Sequence, residues 1–274
     1  MIEVRDDLGR WLELRDPARR IACLVPSITE TLFALGAGDS IVAITDYCIH
    51  PKEGVRTKKR IGGTKNFAAT ALIKLEPDLV IANAEENRRH QVQSLEDAGL
   101  KLFVTFPKTV DGCLKMIADM GAVTGTGNVA QTMLSAIEKA CANALSLAPA
   151  RPPRVLCPIW KNPYMTINRD TYVDSVIRCC GGANLFTDAA ERYPHFSLNE
   201  AARRLPEVVI LPTEPYHFTE ADKPDFREMG DEVPAVKFRR IHIVEGELLS
   251  WYGPRLARAL REISALIREA AEAE

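Results

Sequence analysis

The sequence predicts an α/β fold of two lobes, each a mostly parallel sheet with flanking helices, joined by one long helix. Three observations carry this. After residue 20, short β-branched or apolar runs alternate with amphipathic helical patterns; a second such series starts after the break Arg151-Pro152-Pro153; and between the two series, residues 128–147 contain neither proline nor glycine. Alternation at this spacing favours parallel strands covered on both faces, and 274 residues with 46% hydrophobic content are enough for two cores.

In the first lobe the strand-like runs are residues 21–25, 41–45, a weak one at 60–61, 79–82 and 102–106, with helical patterns at 29–35, 68–75, 88–98 and 110–120. Ser27-Ile28-Thr29-Glu30 has the S-x-x-E capping-box form and predicts Ser27 as the cap of the first helix. That helix N-terminus would face the carboxyl end of the sheet, where it could hold an anionic group, although a plain cap is the commoner meaning of such a motif. Gly125-Thr126-Gly127-Asn128-Val129-Ala130 matches a dinucleotide fingerprint but follows a helical pattern instead of a strand, so it reads as a glycine helix stop with Asn128 capping the next helix. That next helix places Met133, Ile137, Ala140 and Ala144 on one face and spans about 30 Å, a strut across which only modest lobe closure is expected.

The second lobe offers strand-like runs at 155–159, 208–211 and 241–244 and helical patterns at 172–179, 198–205 and 255–271, the last with Leu256, Leu260, Ile263 and Ile267 in one stripe. Ser197-Leu198-Asn199-Glu200 is a second capping box. The expected organisation is an N-terminal lobe over 1–127, a connecting helix over 128–150 and a C-terminal lobe over 151–274.

Charge and composition exclude several functions. A net charge of -2 gives no long-range attraction to nucleic acid or anionic lipid, and no apolar run approaches the roughly 20 residues needed to cross a bilayer. The start MIEVRDDLGRWLEL lacks the basic and apolar regions of a secretory signal, so the chain as written is expected in the cytoplasm; a periplasmic location is the alternative if translation starts upstream or the sequence is the mature form. The 7 cysteines include no C-x-x-C pair, and Cys23 and Cys157 lie in apolar runs as small buried hydrophobes, a usage suited to a reducing compartment. No phosphate loop, nucleophile elbow or H-E-x-x-H motif occurs, so no catalytic residue is assigned. The five histidines, at 50, 90, 195, 217 and 242, show no metal-ligand spacing, and no protein-ligated metal or covalent cofactor is assigned. A monomer is expected.

What remains is a constellation of polar, aromatic, proline-stiffened segments placed directly after the strand-like runs. In the first lobe they contain Tyr47 and His50, then Lys65 and Asn66, then Glu85, Glu86, Asn87 and Arg88; in the second they contain Trp160 and Tyr164, Arg192 and Tyr193, Glu214 and Tyr216, and Trp251, Tyr252 and Arg255. Ligands of open parallel sheets bind outside the carboxyl ends of the strands, and rigid aromatics offer broad contact to a large planar or ring-bearing molecule. These seventeen residues are the expected ligand-binding set in a cleft between the lobes. Some of the aromatics would instead pack their own loops.

Longer segments carry a resemblance. Asp7-Leu8-Gly9-Arg10, the run from Arg20 to Glu30 ending Pro26-Ser27-Ile28-Thr29-Glu30, Leu32-Phe33-Ala34-Leu35-Gly36, Glu76-Pro77-Asp78-Leu79-Val80-Ile81, Cys180-Gly181-Gly182-Ala183-Asn184-Leu185-Phe186 and Leu205-Pro206-Glu207-Val208-Val209-Ile210 together resemble the cobalamin and ferric-chelate substrate-binding proteins of ABC importers, in the class with a helical backbone between two Rossmann-like lobes. The resemblance implies a ligand held between the lobes, with Tyr47, Trp160, Tyr164 and Trp251 at the positions of ligand-contacting aromatics. It implies a corrinoid, an iron siderophore, haem or a metal ion as ligand, and an ABC permease as partner of an exported form, docked through surface carboxylates on each lobe. Glu85-Glu86-Asn87-Arg88 and Trp251-Tyr252-Gly253-Pro254-Arg255 are similar to segments of a branch without signal peptides. The expected function is therefore binding of a cobalamin-like corrinoid or another large metal chelate. Two alternatives stay open: a cytoplasmic enzyme using Glu85, Glu86, His195, Glu214 or His217 in the same cleft, and a direct receptor for zinc, iron or manganese.

Overall fold

The structure, a computed structural model, describes residues 1–272. They form two compact units. The first holds Met1–Pro107, Asp111–Ser135 and Tyr252–Pro254; the second holds Lys108–Val110, Ala136–Trp251 and the chain from Arg255.

The first unit opens with an antiparallel hairpin, β1 (Ile2–Arg5) and β2 (Trp11–Leu14), with Ile2 opposite Leu14. The period-two burial that marks it is visible in β2, where Leu12 and Leu14 are buried and Trp11 and Glu13 face out, a mixed pattern that lacks the continuous apolar run of the buried sheet strands. Its turn is closed by Asp6 Oδ1, which accepts from Leu8 N at 3.0 Å and Arg10 N at 2.8 Å, and by Gly9 at φ 81°.

Next come β3 (Ile21–Cys23), α1 (Pro26–Ala34), β4 (Ile41–Ile44), α2 (Lys52–Val55), β5 (Lys59–Arg60), a two-rung hairpin of β6 (Gly62–Gly63) and β7 (Asn66–Phe67), α3 (Ala69–Ile73), β8 (Leu79–Asn83), α4 (Arg89–Asp97) and β9 (Leu102–Thr105). The sheet order is β5-β4-β3-β8-β9, every pair parallel. Central β3 and β8 are buried along their whole length, as continuous apolar strands between two covering layers must be. One face packs Ala22, Val80 and Ala82 with Phe67, Leu72 and Leu95 from the hairpin, α3 and α4. Helix α5 (Val110–Thr124) follows and stops at Gly125, φ 72°.

Helix α6 (Gly127–Ser146) runs without a break across the boundary between the units. The second unit then builds β10 (Arg154–Leu156), α7 (Tyr172–Cys179), β11 (Ala183–Asn184), α8 (Leu198–Arg203), β12 (Val208–Pro212), α9 (Lys223–Arg227), α10 (Pro234–Lys237), β13 (Ile241–Val244), α11 (Glu247–Ser250) and α12 (Leu256–Glu272). Its sheet, β11-β10-β12-β13, is also all parallel. The apolar stripe of α12 is fully buried, and Gly182 lets it close on the sheet: a Cβ there would lie 2.9 Å from both Ile267 Cδ1 and Val155 Cγ2. Among the described residues no helix is long and apolar enough to cross a membrane.

Two helix starts differ from expectation. Helix α1 begins at Pro26 with Val25 in the cap position and no side-chain cap; Ser27 lies inside the first turn, its buried Oγ without a hydrogen-bond partner. Proline is preorganised for the first helical position and moved the start ahead of the serine. Similarly, α6 starts at Gly127, so Asn128 is inside the helix and Val129 N and Ala130 N both donate to Thr126 O. Ser197, by contrast, caps α8 by accepting from Glu200 N at 3.2 Å. Substituting a true serine cap by alanine costs about 1 kcal/mol. Ser27→Ala is therefore expected to be neutral or stabilising by up to about 1 kcal/mol, since it removes a buried unpaired hydroxyl, whereas Ser197→Ala should lose about 1 kcal/mol. Urea unfolding of both variants checks this; an equal loss at Ser27 would restore it as a cap.

Candidate functional site

All the loops singled out in the first unit follow the carboxyl ends of its strands. The loop after β4 exposes Tyr47, 63% accessible, and leaves His50 half-buried. It is held from three sides. Arg60 Nη1 donates to Thr45 O and Asp46 O, both at 2.9 Å, Asp46 N donates to Gly62 O at 2.8 Å, and the buried Cys48 Sγ lies 3.2 Å from both Thr29 Oγ1 and Thr45 Oγ1. Burial raises the pKa of the Cys48 thiol, so it acts as a neutral anchor. Gly63 brings Tyr47 and the β6–β7 turn together: a Cβ at Gly63 would lie 3.3 Å from Tyr47 Cε2 and 2.4 Å from Asn66 Oδ1. Lys65 and Asn66 are exposed at that turn.

After β8, Asn83 Oδ1 accepts from Glu85 N at 2.8 Å and Glu86 N at 3.1 Å, fixing the backbone beneath the two carboxylates. Asn87 is buried, while Arg88 is exposed in the cap position of α4.

In the second unit the loop after β10 forms a small ladder. Met165 bridges to Trp160 on one side and His195 on the other, and Tyr216 N donates to Ile159 O at 3.3 Å. Trp160 is 44% accessible and meets the half-buried Tyr216 edge-on, ring centroids 5.9 Å apart. Tyr164, four residues along, turns the other way. Its ring packs on Phe196 and Phe226 at 5.5 and 5.4 Å, and its hydroxyl donates to Asp225 Oδ2 at 3.0 Å. Burial, then the Asp225 carboxylate, raise its pKa. Lys161 closes this knot with Nζ 2.6 Å from Asp222 Oδ1 and 2.7 Å from Asp225 Oδ2; the hydrogen bond to Asp222, then that to Asp225, hold its pKa high.

Arg192 pairs with Asp170 at 3.1 Å and stacks on Tyr193, its guanidinium 5.5 Å from the ring centroid. Lys108 Nζ meets both oxygens of Asp170 at 2.9 Å, and that contact, ahead of Arg192, lowers the Asp170 pKa. A third group gathers at the ends of β12 and β13. Ser250 Oγ donates to Glu214 Oε1 at 2.5 Å, the Trp251 side chain hydrogen-bonds the same carboxyl, and Arg255 lies 5.1 Å over the Trp251 ring with Nη1 2.5 Å from Glu245. Burial, opposed by the Ser250 bond, raises the Glu214 pKa. Trp251 is buried there; Tyr252, also buried, belongs to the first unit.

Within each unit the expected residues thus assemble as Tyr47 with Asn66, Glu85 and Glu86 over Asn83, Trp160 with Tyr216, Arg192 with Tyr193, and Glu214 with Trp251 and Arg255. Tyr164 joins the hydrophobic core instead of an open loop surface. His195 and His217 are exposed, the latter with Nδ1 3.1 Å from Thr213 O. Among the described residues no three His, Cys, Asp or Glu side chains converge as a metal site. The sequence reading assigns no site role to Arg60, Asn83, Asp170, Asp222 or Asp225. Asn83 had a signal, as an asparagine at a strand end ahead of a turn, and Thr219-Glu220-Ala221-Asp222 is a legible capping box that the structure forms. The others act through partners distant in sequence.

The chain is similar to known binding proteins along most of its length. It is 23% identical over 253 residues to a vitamin B12-binding protein of Vibrio cholerae, covering 92% of this chain and 90% of that one. The crystal structure of the periplasmic vitamin B12 binding protein BtuF of Vibrio cholerae superposes with a TM-score of 0.82 at 22% identity, covering 94% of this chain and 99% of that one. The periplasmic heme-binding protein RhuT from Roseiflexus sp. RS-1, in apo form, gives 0.79 at 25% identity over 93% and 99%. Residues 21–242 match the family described as periplasmic binding protein. With its two parallel-sheet units and its polar, aromatic strand-end loops, the chain belongs to that family.

Proposed function

We propose that this protein binds a corrinoid, or a metal chelate of similar size and ring form, through the carboxyl-edge loops of both lobes, and delivers it to an ABC permease. The observation that carries the reading is the exposure of Tyr47 and of Trp160, the latter edge-on to the half-buried Tyr216, at those edges, on loops held by internal hydrogen bonds. Exposed rigid rings are costly to leave in water and suit a broad, flat ligand face. The vitamin B12-binding relatives favour a corrinoid and a periplasmic setting. Contacts are assigned to Tyr47, His50, Lys65, Asn66, Glu85, Glu86 and Arg88 in the first lobe. In the second lobe they are Trp160, Arg192, Tyr193, Glu214, Tyr216, Trp251 and Arg255, with Tyr164 and Tyr252 supporting from beneath.

Gel filtration after incubation with cyanocobalamin, read by the corrinoid absorption, tests this, with hemin as a second probe. Stoichiometric retention of cyanocobalamin at micromolar concentration is expected. Trp160→Ala should weaken it at least tenfold, about 1.4 kcal/mol or more, as removal of a central aromatic contact does. Absence of retained corrinoid would end the corrinoid reading; retention of hemin alone would move it to a haem-type chelate.

A further inference from the structure

Asn87 links three strand-end segments through one side chain. Its Nδ2 donates to Thr64 O at 2.8 Å and to Leu24 O at 3.3 Å, and its Oδ1 accepts from Asn83 N at 2.8 Å. Thr64 opens the turn that carries Lys65 and Asn66, Leu24 follows the end of β3, and Asn83 ends β8. The orientation of the amide is forced, because two of its partners are carbonyl oxygens and the third is an N–H. Both donor hydrogens are committed to backbone, and the residue is only 5% exposed. Asn83 extends the network, with Oδ1 under Glu85 N and Glu86 N and Nδ2 3.3 Å from Thr105 Oγ1 at the end of β9.

We infer that Asn87 is a positioning residue: it touches no ligand, and with Asn83 it holds the Lys65–Asn66 turn and the Glu85–Glu86 loop in one arrangement ready to receive it. The inference rests on the reading that a ligand meets the carboxyl edge of the first lobe. Loops that are already ordered lose less conformational freedom on binding, so the brace raises affinity without contributing a contact. Aspartate cannot replace Asn87. It matches the shape and still accepts from Asn83 N, but it presents a second oxygen to two carbonyls that need donors.

Amide hydrogen exchange of the unliganded protein, paired with cyanocobalamin and hemin titrations, tests this. Asn87→Asp is expected to speed exchange at least tenfold in residues 62–67 and 84–88, leave the central strand residues Val80 and Ile81 protected, and weaken ligand at least tenfold. Asn83→Ser is expected to loosen residues 84–88 alone, and this second variant decides the matter if Asn87→Asp does not fold. Asn66→Ala, a contact variant, should weaken ligand with no change in exchange. Unchanged exchange in either brace variant overturns the brace, and faster exchange with wild-type affinity overturns its positioning role. If the wild type retains neither probe, the functional reading fails by itself, because the exchange comparison needs no ligand.

Discussion

Gly253→Ala is expected to destabilise the first unit by about 3 kcal/mol, and urea unfolding at neutral pH would show it as a lower midpoint with an unchanged slope. Two independent costs combine. Gly253 has φ 97°, a left-handed conformation that costs a side-chain-bearing residue about 1–2 kcal/mol. A Cβ built there would also lie 2.0 Å from Thr31 Oγ1 and 3.2 Å from Thr31 Cβ, an overlap that forces movement in a packed region at about 1–3 kcal/mol. Thr31 cannot easily turn aside, since it is fully buried in α1 with its hydroxyl donating to Ser27 O at 2.8 Å. Gly253 N is itself held, 3.3 Å from Cys113 Sγ. The double variant Gly253→Ala with Thr31→Ala should recover the overlap and keep the backbone cost, so about half of the loss should return. A loss below about 0.5 kcal/mol in the single variant would show that the close approach is not maintained in solution.

This glycine marks a boundary in what the sequence disclosed. The strand-helix alternation was readable because it is local: the period of hydrophobicity placed α7 at Tyr172–Cys179 and β13 at Ile241–Val244 without error, and the other principal strands within a few residues. Errors occurred where two local signals competed. At Pro26-Ser27 both residues favour a helix start, and the proline won. The N-terminal hairpin was missed because its strands, IEVR and WLEL, interleave charged with apolar residues and so show no continuous apolar run like those of the buried sheet strands.

For the candidate site, position was legible and orientation was not. Trp160 and Tyr164 share a loop and looked equivalent in sequence, yet Trp160 is exposed while Tyr164 is drawn inward by Phe196, Phe226 and Asp225, the last 61 residues away. The same holds for Arg60 and the Tyr47 loop. A charged residue on an edge strand reads as protection against strand pairing; only the folded chain shows that its guanidinium clamps two carbonyls beneath a tyrosine. Which rings face a ligand is set by long-range partners, and these leave no periodic trace.

A long-range partner also sets the second large effect. Glu207→Gln is expected to cost about 2 kcal/mol at pH 7, because a buried carboxylate with charge-assisted bonds is replaced by a neutral amide that must orient a donor toward donors. Glu207 directly precedes β12 with a side chain only 1% exposed; Arg151 grips it in bidentate fashion, Nη2 to Oε1 at 2.6 Å and Nη1 to Oε2 at 3.0 Å, and Arg154 N donates to Oε2 at 2.9 Å. Loss of one partner of a fully buried pair costs about 3–5 kcal/mol. The smaller cost of about 2 kcal/mol applies here because Arg151 is 52% exposed and water can solvate it once the carboxylate is gone. Burial alone would raise the pKa of Glu207, but the Arg151 and Arg154 contacts outweigh it and the net shift is downward. A folded-state pKa below the unfolded value makes the group a source of stability above the ordinary glutamate value of 4.5, and that stability is lost as pH falls through the folded value. The gap between wild type and Glu207→Gln should therefore be constant from pH 7 to about pH 5 and close as the pH falls further, because the protonated wild type then carries a neutral group as the variant does. Urea unfolding of both proteins at pH 7, 5 and 3 measures it. A gap that stayed the same at pH 3 would place the cost in packing and remove the ion pair from the account.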